Sequence, residues 1–553
     1  MNTSCGDMAC RERLTFRWPK LFRQIDGWKI ASALIATAVL IPLLVLSLSF
    51  LKPQTDIWKH ISEHLLADLL LNTAVLASGV LSLTAIMGVS LAWLTAVCEY
   101  PGRKLFSWAL LLPMSVPAYV MAFVFLGVFD FAGPVQGALR SWWPGRFDPV
   151  DVRSAPGVII VLSLGLYPYV YLLTRGAFLT QGRKAMEAAR SLGCKPVRAF
   201  FRVALPMARP WIAGGLMLVL METLADFGAV SIFNYDTFTT AIYKAWFGLF
   251  SLDAAAQLSS ILVILALAVM LIEQKMRNRM RYFQTGRLSM EEHRILLNGW
   301  KGWAASLFSG FIFIVAFALP FFRLIAWSLR VVQDQLDVSY TDEIANSLIL
   351  ASGGAGIICL AALVLAYTDR RHKDSITNAS IKIATLGYAL PGTVLAVGLF
   401  IGFSYVDSAI ANGLGVESVL QGSLAMLFIA YGVRFLAVGY HPTSSAMLRI
   451  TPSIDEAARS LNVKGIKMLF RVHVPILKSG LFTAILLGFV DIMKEMPITL
   501  MTRPFGWDTL AVKIYELTSE GEWERAAIPA VVLVLCGLIP VILLVAKSEK
   551  RAV

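Results

Sequence analysis

Glu187-Ala188-Ala189-Arg190-Ser191-Leu192-Gly193 returns 269 residues later as Glu456-Ala457-Ala458-Arg459-Ser460-Leu461-Asn462. Each copy runs on through a basic, half-apolar stretch to a proline, Pro206 in one and Pro475 in the other. In a chain of 553 residues, a single shift near half the length points to two structural halves rather than a solenoid. Both copies are polar islands in an otherwise apolar sequence. A polar helix written twice between apolar runs suits docking from one side of a membrane, twice.

The surrounding composition supplies that membrane. The chain is 57% hydrophobic and 15% charged, against about 25% charged in soluble domains. Roughly a dozen runs reach the ~20 apolar residues needed to cross a bilayer. They are expected near 28–51, 72–97, 105–129, 156–180, 210–232 and 254–274 in the first half. In the second half they fall near 303–325, 344–367, 379–405, 421–441, 479–501 and 526–546. The N-terminal run from Trp28 to Leu51 follows Arg11, Arg13, Arg17, Lys20 and Arg23. It is longer than the ~7–15 residues of a cleavable signal core, so it reads as a retained span.

With the N-terminus inside, inner loops hold about 36 Lys and Arg and outer loops about nine. This asymmetry satisfies the positive-inside rule and explains the net charge of +13 without a nucleic-acid partner. Both termini are then cytoplasmic. Six spans per half is an even number, so the repeat is parallel, unlike the inverted repeats of many secondary transporters. The linker 275–302, with Lys275, Arg277, Arg279, Arg281, Arg287 and Arg294, reads as a cytoplasmic hinge. The halves are expected at 1–285 and 286–553.

The repeat holds elsewhere. Asn72-Thr73 matches Asn346-Ser347, Pro117 matches Pro391, and Asp236-Thr237 before Ile242-Tyr243 matches Asp508-Thr509 before Ile514-Tyr515. The acidic pair Glu222/Asp226 falls on Asp491/Glu495 at the shift of the opening motif. A carboxylate near mid-bilayer costs about 2.5–3.5 kcal/mol, so it rarely faces lipid. Residues four apart share a helix face, and four such carboxylates would converge on a central pathway. Hard oxygen ligands suit hard cations. The alternative is a structural network in which Arg434 and Lys494 neutralise the second pair.

The repeated stretch itself is built to turn. Ala, Glu, Arg and Leu favour helix, and Ser453 with Glu456 suggests a capping box. Gly193 should end the first helix in the left-handed region, with Pro196 starting the next. Asn462, which tolerates that conformation, should do the same in the second copy. Paired small alanines would let a partner's surface approach closely.

The pattern Glu187, Ala188, Ala189, Gly193, Val203, Leu205 and Pro206 resembles the EAA loop of ABC importer permeases. The second copy keeps Glu456, Ala457, Ala458, Val472 and Pro475, with Asn462 for Gly and Val474 for Leu. The resemblance implies an all-α membrane protein of about 12 transmembrane helices, two fused MetI-like six-span halves, with EAA loops at 187–206 and 456–475. It implies that both loops are coupling helices, each seated in one of two copies of a cytoplasmic ABC ATPase. An extracytoplasmic substrate-binding protein and a bacterial inner membrane are implied with them. Ala225-Asp226-Phe227-Gly228-Ala229-Val230, Asp236-Thr237-Phe238-Thr239-Thr240 and Lys494-Glu495-Met496-Pro497 resemble the iron(III) branch of that family; thiamine or another small solute is the alternative cargo. A twelve-span carrier driven by an ion gradient is the rival from another class, but it predicts no repeated docking helix.

Other features carry no chemistry. The six cysteines, at 5, 10, 98, 194, 359 and 536, lack zinc-site spacing. His372, His441 and His473 have no partner at ligand spacing. Gly353-Gly354-Ala355-Gly356 lacks the Lys-Ser/Thr of a phosphate loop and reads as close helix packing. No cofactor site is expected, and ATP hydrolysis is left to another subunit.

Overall fold

The computed structural model describes residues 26–49, 51, 55–142, 144, 151–179, 189, 191, 193–279, 294–332, 338–415 and 420–550. Among them are twelve helices long and apolar enough to cross a membrane. The first half contributes α1 (Gly27–Ser49), α2 (Asp56–Val97), α3 (Ala118–Trp142), α4 (Ala155–Ala177), α5 (Phe200–Ala225) and α6 (Leu252–Ile272). The second contributes α7 (Trp300–Val331), α8 (Tyr340–Arg371), α9 (Gly392–Gly413), α10 (Leu424–Met447), α11 (Ile466–Lys494) and α12 (Trp523–Pro540). The half boundary expected at 285/286 lies outside the described residues.

Each half is built on a triangle of its second, fourth and fifth spans: α2, α4 and α5 in one, α8, α10 and α11 in the other. The first span of each half then crosses to the other half. α1 packs on α9 and on the helix Ser375–Thr385 before it, and Gly398 comes so close that a Cβ there would stand 2.8 Å from the Pro42 Cβ. In return α7 lies against α3, where a Cβ on Gly127 would stand 2.5 Å from the Trp327 ring. The halves are thereby laced together, which small residues at helix contacts make possible.

The third span of each half is broken where sequence periodicity reads it as continuous. Helix Arg103–Ala109 gives way to a 3-10 turn Leu112–Ser115 before α3; Ser375–Thr385 gives way to Leu386–Ala389 before α9. The cause is Pro117 and Pro391. Proline lacks the N–H that would continue the ladder and forces its predecessor out of the helical region. Val116 and Leu390 accordingly sit at ψ 120° and 129°.

Contacts between loops group the connections by side. Asp26, just before α1, pairs with Arg371 at 2.9 Å and with His372 at 3.2 Å after α8. Arg370 reaches Asp455, after α10, at 2.6 Å. A two-residue parallel pairing, β1 (Cys98–Glu99) with β2 (Ile295–Leu296), joins the end of α2 to the start of α7, and Arg294 pairs with Glu99 at 3.2 Å. All these segments precede α1 or follow an even-numbered span, as a parallel repeat requires.

Asp374 belongs to this face. It caps Ser375–Thr385 by accepting the Thr377 N–H at 2.9 Å and pairs with Lys29 at 2.5 Å. The Lys29 ammonium first, and the Thr377 donors second, hold its carboxyl well below the usual range. A depressed aspartate stabilises fully above its unfolded value of ~3.9 and loses that contribution as pH falls through the folded value. Asp374→Ala should therefore cost about 1 kcal/mol of cap energy at neutral pH. Thermal unfolding of the detergent-solubilised protein should show that gap narrowing as pH is lowered from ~4 toward the depressed folded value.

Candidate functional sites

The first site lies between the halves. A cavity of about 540 Å³ is lined by Tyr119, Tyr169, Glu222 and Asp226 from the first half and by Tyr388, Arg434, Asp491, Lys494 and Glu495 from the second. All four carboxylates singled out in the sequence thus border one space. They do not share one geometry.

The expectation of four groups on two helix faces fails at Asp226 and Glu495. α5 ends at Ala225 and α11 at Lys494; Asp226 and Glu495 follow as extended C-caps, with ψ 129° and 114°. Each turns its carboxylate onto the short helix that follows. Asp226 accepts the Val230 N–H at 3.1 Å, and Glu495 accepts the Ile498 N–H at 3.1 Å. A carboxylate at a helix N-terminus satisfies orphan donors and complements the dipole. Glu495 also pairs with Arg434 at 3.3 Å, both nearly buried. A buried pair of this kind is weak evidence of net stability, yet removing one partner costs about 3–5 kcal/mol.

Glu222 and Asp491, one turn earlier, remain on the spans. Glu222 accepts a hydrogen bond from Tyr388 at 2.9 Å, across the interface between halves. Asp491 lies within charge-interaction range of Lys494, Glu222 and Arg434, and Tyr169 within range of Glu222 and Asp491. Lys494 donates to the Met114 carbonyl at 2.8 Å, so it ties α11 to the broken third span of the first half. Arg434 likewise donates to the Leu390 carbonyl at 2.5 Å. The helix breaks expose carbonyls, and these two partly buried cations take them up.

The second site is the pair of elbows. In the second copy a helix runs Pro452–Ser460. Its N-cap is Thr451, whose hydroxyl lies 2.8 Å from that of Ser453; the expected Ser453–Glu456 capping box does not form, because Pro452, with φ preset for the first helical position, starts the helix two residues early. The exit matches expectation. Asn462 adopts φ 58°, and Gly193 in the first copy φ 79°. The Val463 N–H returns to the Ala458 carbonyl at 2.9 Å, and the Cys194 N–H to the Ala189 carbonyl at 2.9 Å. This is the same helix-ending loop in both copies. Beyond it, π-helical turns Phe200–Ala204 and Leu469–His473 lead into the membrane helices, with Pro206 and Pro475 in their first turns.

Glu187 and Ala188 lie outside the described residues. Of the others, Ala189 and Ala458 are each only 6% exposed, whereas Glu456 and Ala457 face outward. The second alanine of each pair therefore packs inward, and Ala457 is the one open to a partner.

Sequence spacing missed several participants. Tyr388 and Tyr169 carry no motif, and they enter the cavity only because the 3-10 turn and α4 bring them there. His473, without a partner by spacing, is 1% exposed and lies 2.8 Å from Asp455. Only the fold brings together residues 18 and 85 positions apart.

Comparison with known proteins agrees with this architecture. The family model "Binding-protein-dependent transport system inner membrane component" matches twice, over residues 85–282 and 358–552. The Fe(3+)-transport system permease protein FbpB 2 of Haemophilus influenzae is 26% identical over 483 residues, 87% of this chain and 90% of that protein. The ferric transport system permease protein FbpB of Actinobacillus pleuropneumoniae is 24% identical, over 70% of this chain and 57% of its own length. The molybdenum transport system permease protein ModB of Escherichia coli is 29% identical over 193 residues, 34% of this chain and 82% of its own. Two family domains, each carrying one elbow before its fifth span, on twelve apolar helices make this chain a member of the binding-protein-dependent inner-membrane components, a multi-pass permease of an ABC transport system.

Proposed function

We propose that this chain is the fused permease of an ATP-driven importer for ferric iron. An extracytoplasmic binding protein delivers the cargo, and two copies of a cytoplasmic ATPase dock on the elbows 187–206 and 456–475. The observation that carries the reading is the matched pair of elbows, each ending in the same left-handed turn and each following an even-numbered span. The excess of Lys and Arg in those loops supports a cytoplasmic location for them and for both termini. Likeness to ferric permeases along most of the chain supports iron as cargo. The carboxylates and phenols around the central cavity are hard oxygen donors, which suits that ion. A pathway must hold its cargo loosely enough to release it, and this reading makes the chain a conduit for the cargo.

The test is uptake. In a transport-deficient cell given this chain with its cognate subunits, labelled ferric iron should accumulate and labelled thiamine should not. Uptake should stop when ATP is depleted while membrane potential is held; persistence would favour a gradient-driven carrier. Accumulation of thiamine instead would keep the architecture and replace the cargo.

A further inference from the structure

The second elbow is moored by charge to two membrane helices. Asp455, in the first turn of helix Pro452–Ser460, divides its carboxylate between two spans. One oxygen takes Arg370 of α8, with Nη2 at 2.6 Å and Nε at 3.1 Å. The other takes His473 Nε2, in the π-helical turn Leu469–His473 near the start of α11, at 2.8 Å. A carboxylate can only accept, so His473 donates from Nε2. Arg370 also donates to the Ile450 carbonyl at 2.8 Å, just before the elbow. All three side chains are largely shielded, at 18%, 18% and 1% exposure. Burial would raise the Asp455 carboxyl, but the hydrogen bonds from His473 and Arg370 outweigh it and hold the group below the usual range. Asp455 is therefore a charged acceptor at neutral pH.

The first half has no such arrangement in its sequence. The shift of 274 that pairs Asn72 with Asn346 takes Arg370 to Ala96. The shift of 269 takes Asp455 to Met186 and His473 to Ala204. Neither an alanine nor a methionine can replace those charges, and Ala96 and Ala204 are buried. The duplication kept the elbow and its π-helical turn but not these three side chains at the matched positions.

We propose that Asp455 is a positioning residue that clamps the second elbow to α8 and α11, so that movement of a docked ATPase is passed to both spans. This rests on reading Pro452–Ser460 as an ATPase-coupling helix. Displacement of the second elbow passes directly to two spans, one of which carries Asp491 and Lys494 at the central cavity. A network of packed charges with defined partners is the physical carrier that such coupling needs.

The experiment uses the assembled transporter, with its ATPase and binding protein, in proteoliposomes. It measures ferric iron moved per ATP hydrolysed and, separately, ATPase co-purified. Asp455→Asn keeps size and removes charge. It should leave ATPase capture at the wild-type level and lower transport per ATP by roughly two- to thirtyfold, the span seen for changes within coupling networks. Asp455→Glu, which keeps the charge, should recover a large part of the loss. If Asp455→Asn transports with wild-type stoichiometry, the clamp is overturned while the importer reading stands. If ATPase capture falls in step with transport and Asp455→Glu recovers neither, Asp455 only folds the loop and the proposal is also overturned. A wild-type chain that captures no ATPase would sink the importer reading itself, a different result from either.

Discussion

With Ala457 replaced by Arg, ATPase co-purification is expected to fall by about thirtyfold, the equivalent of ~2 kcal/mol at an interface hot spot. Ala457 faces outward on helix Pro452–Ser460 beside exposed Glu456. A long cation there obstructs a close-fitting partner without touching the packing beneath. Its neighbour gives the contrast. Ala458 is buried and its carbonyl closes the turn at Asn462-Val463. Ala458→Arg should therefore reduce the yield of inserted protein rather than selectively release the ATPase, because an unpaired buried charge is expensive. The measurement is the ratio of ATPase to permease in the purified complex, with membrane yield recorded alongside. Wild-type ATPase capture by Ala457→Arg would remove the second elbow from the docking surface.

Those two alanines show where sequence reading reaches its limit. Composition and the apolar runs give twelve spans, because crossing a bilayer demands length and hydrophobicity that a sequence displays openly. The duplicated elbow was legible for a similar reason: Gly193 and Asn462 answer a local backbone demand, and both adopt the left-handed conformation. Which alanine points outward depends on the phase of a nine-residue helix against the rest of the protein. No local pattern fixes that phase in so short a helix.

The cavity between the halves was legible by half. Four carboxylates in matched positions announced a shared location, and all four line the cavity. The assumption that i and i+4 share a helix face failed because both helices stop between the two carboxylates. Pro497 lies three residues past Lys494, consistent with a stop there; in the first half Gly228 opens the short helix instead. The cross-half partners Tyr388 and Met114 lie 166 and 380 residues from the groups they meet. Long-range pairing of that kind leaves no periodic trace.

The different surroundings of the four carboxylates separate their expected roles. Asp226 and Glu495 cap helices, and Glu495 also balances Arg434. Neutralising Glu495 should cost folded protein, at about 3–5 kcal/mol for an orphaned buried charge. Glu222→Gln with Asp491→Asn should instead insert, capture ATPase and yet lower ferric uptake by roughly tenfold or more, the scale of ~1.4 kcal/mol of lost stabilisation. The glutamine oxygen can still accept from Tyr388, so this double variant removes charge while keeping the bond between halves. Tyr388→Phe does the opposite, deleting that bond and keeping both charges. If charge along the pathway governs passage, Tyr388→Phe should lower uptake less than the double variant does, even though it deletes a charge-assisted bond of ~1.5–3 kcal/mol between the halves. Wild-type uptake in the double variant, with a large loss in Tyr388→Phe, would instead make Glu222 an anchor holding the two halves together.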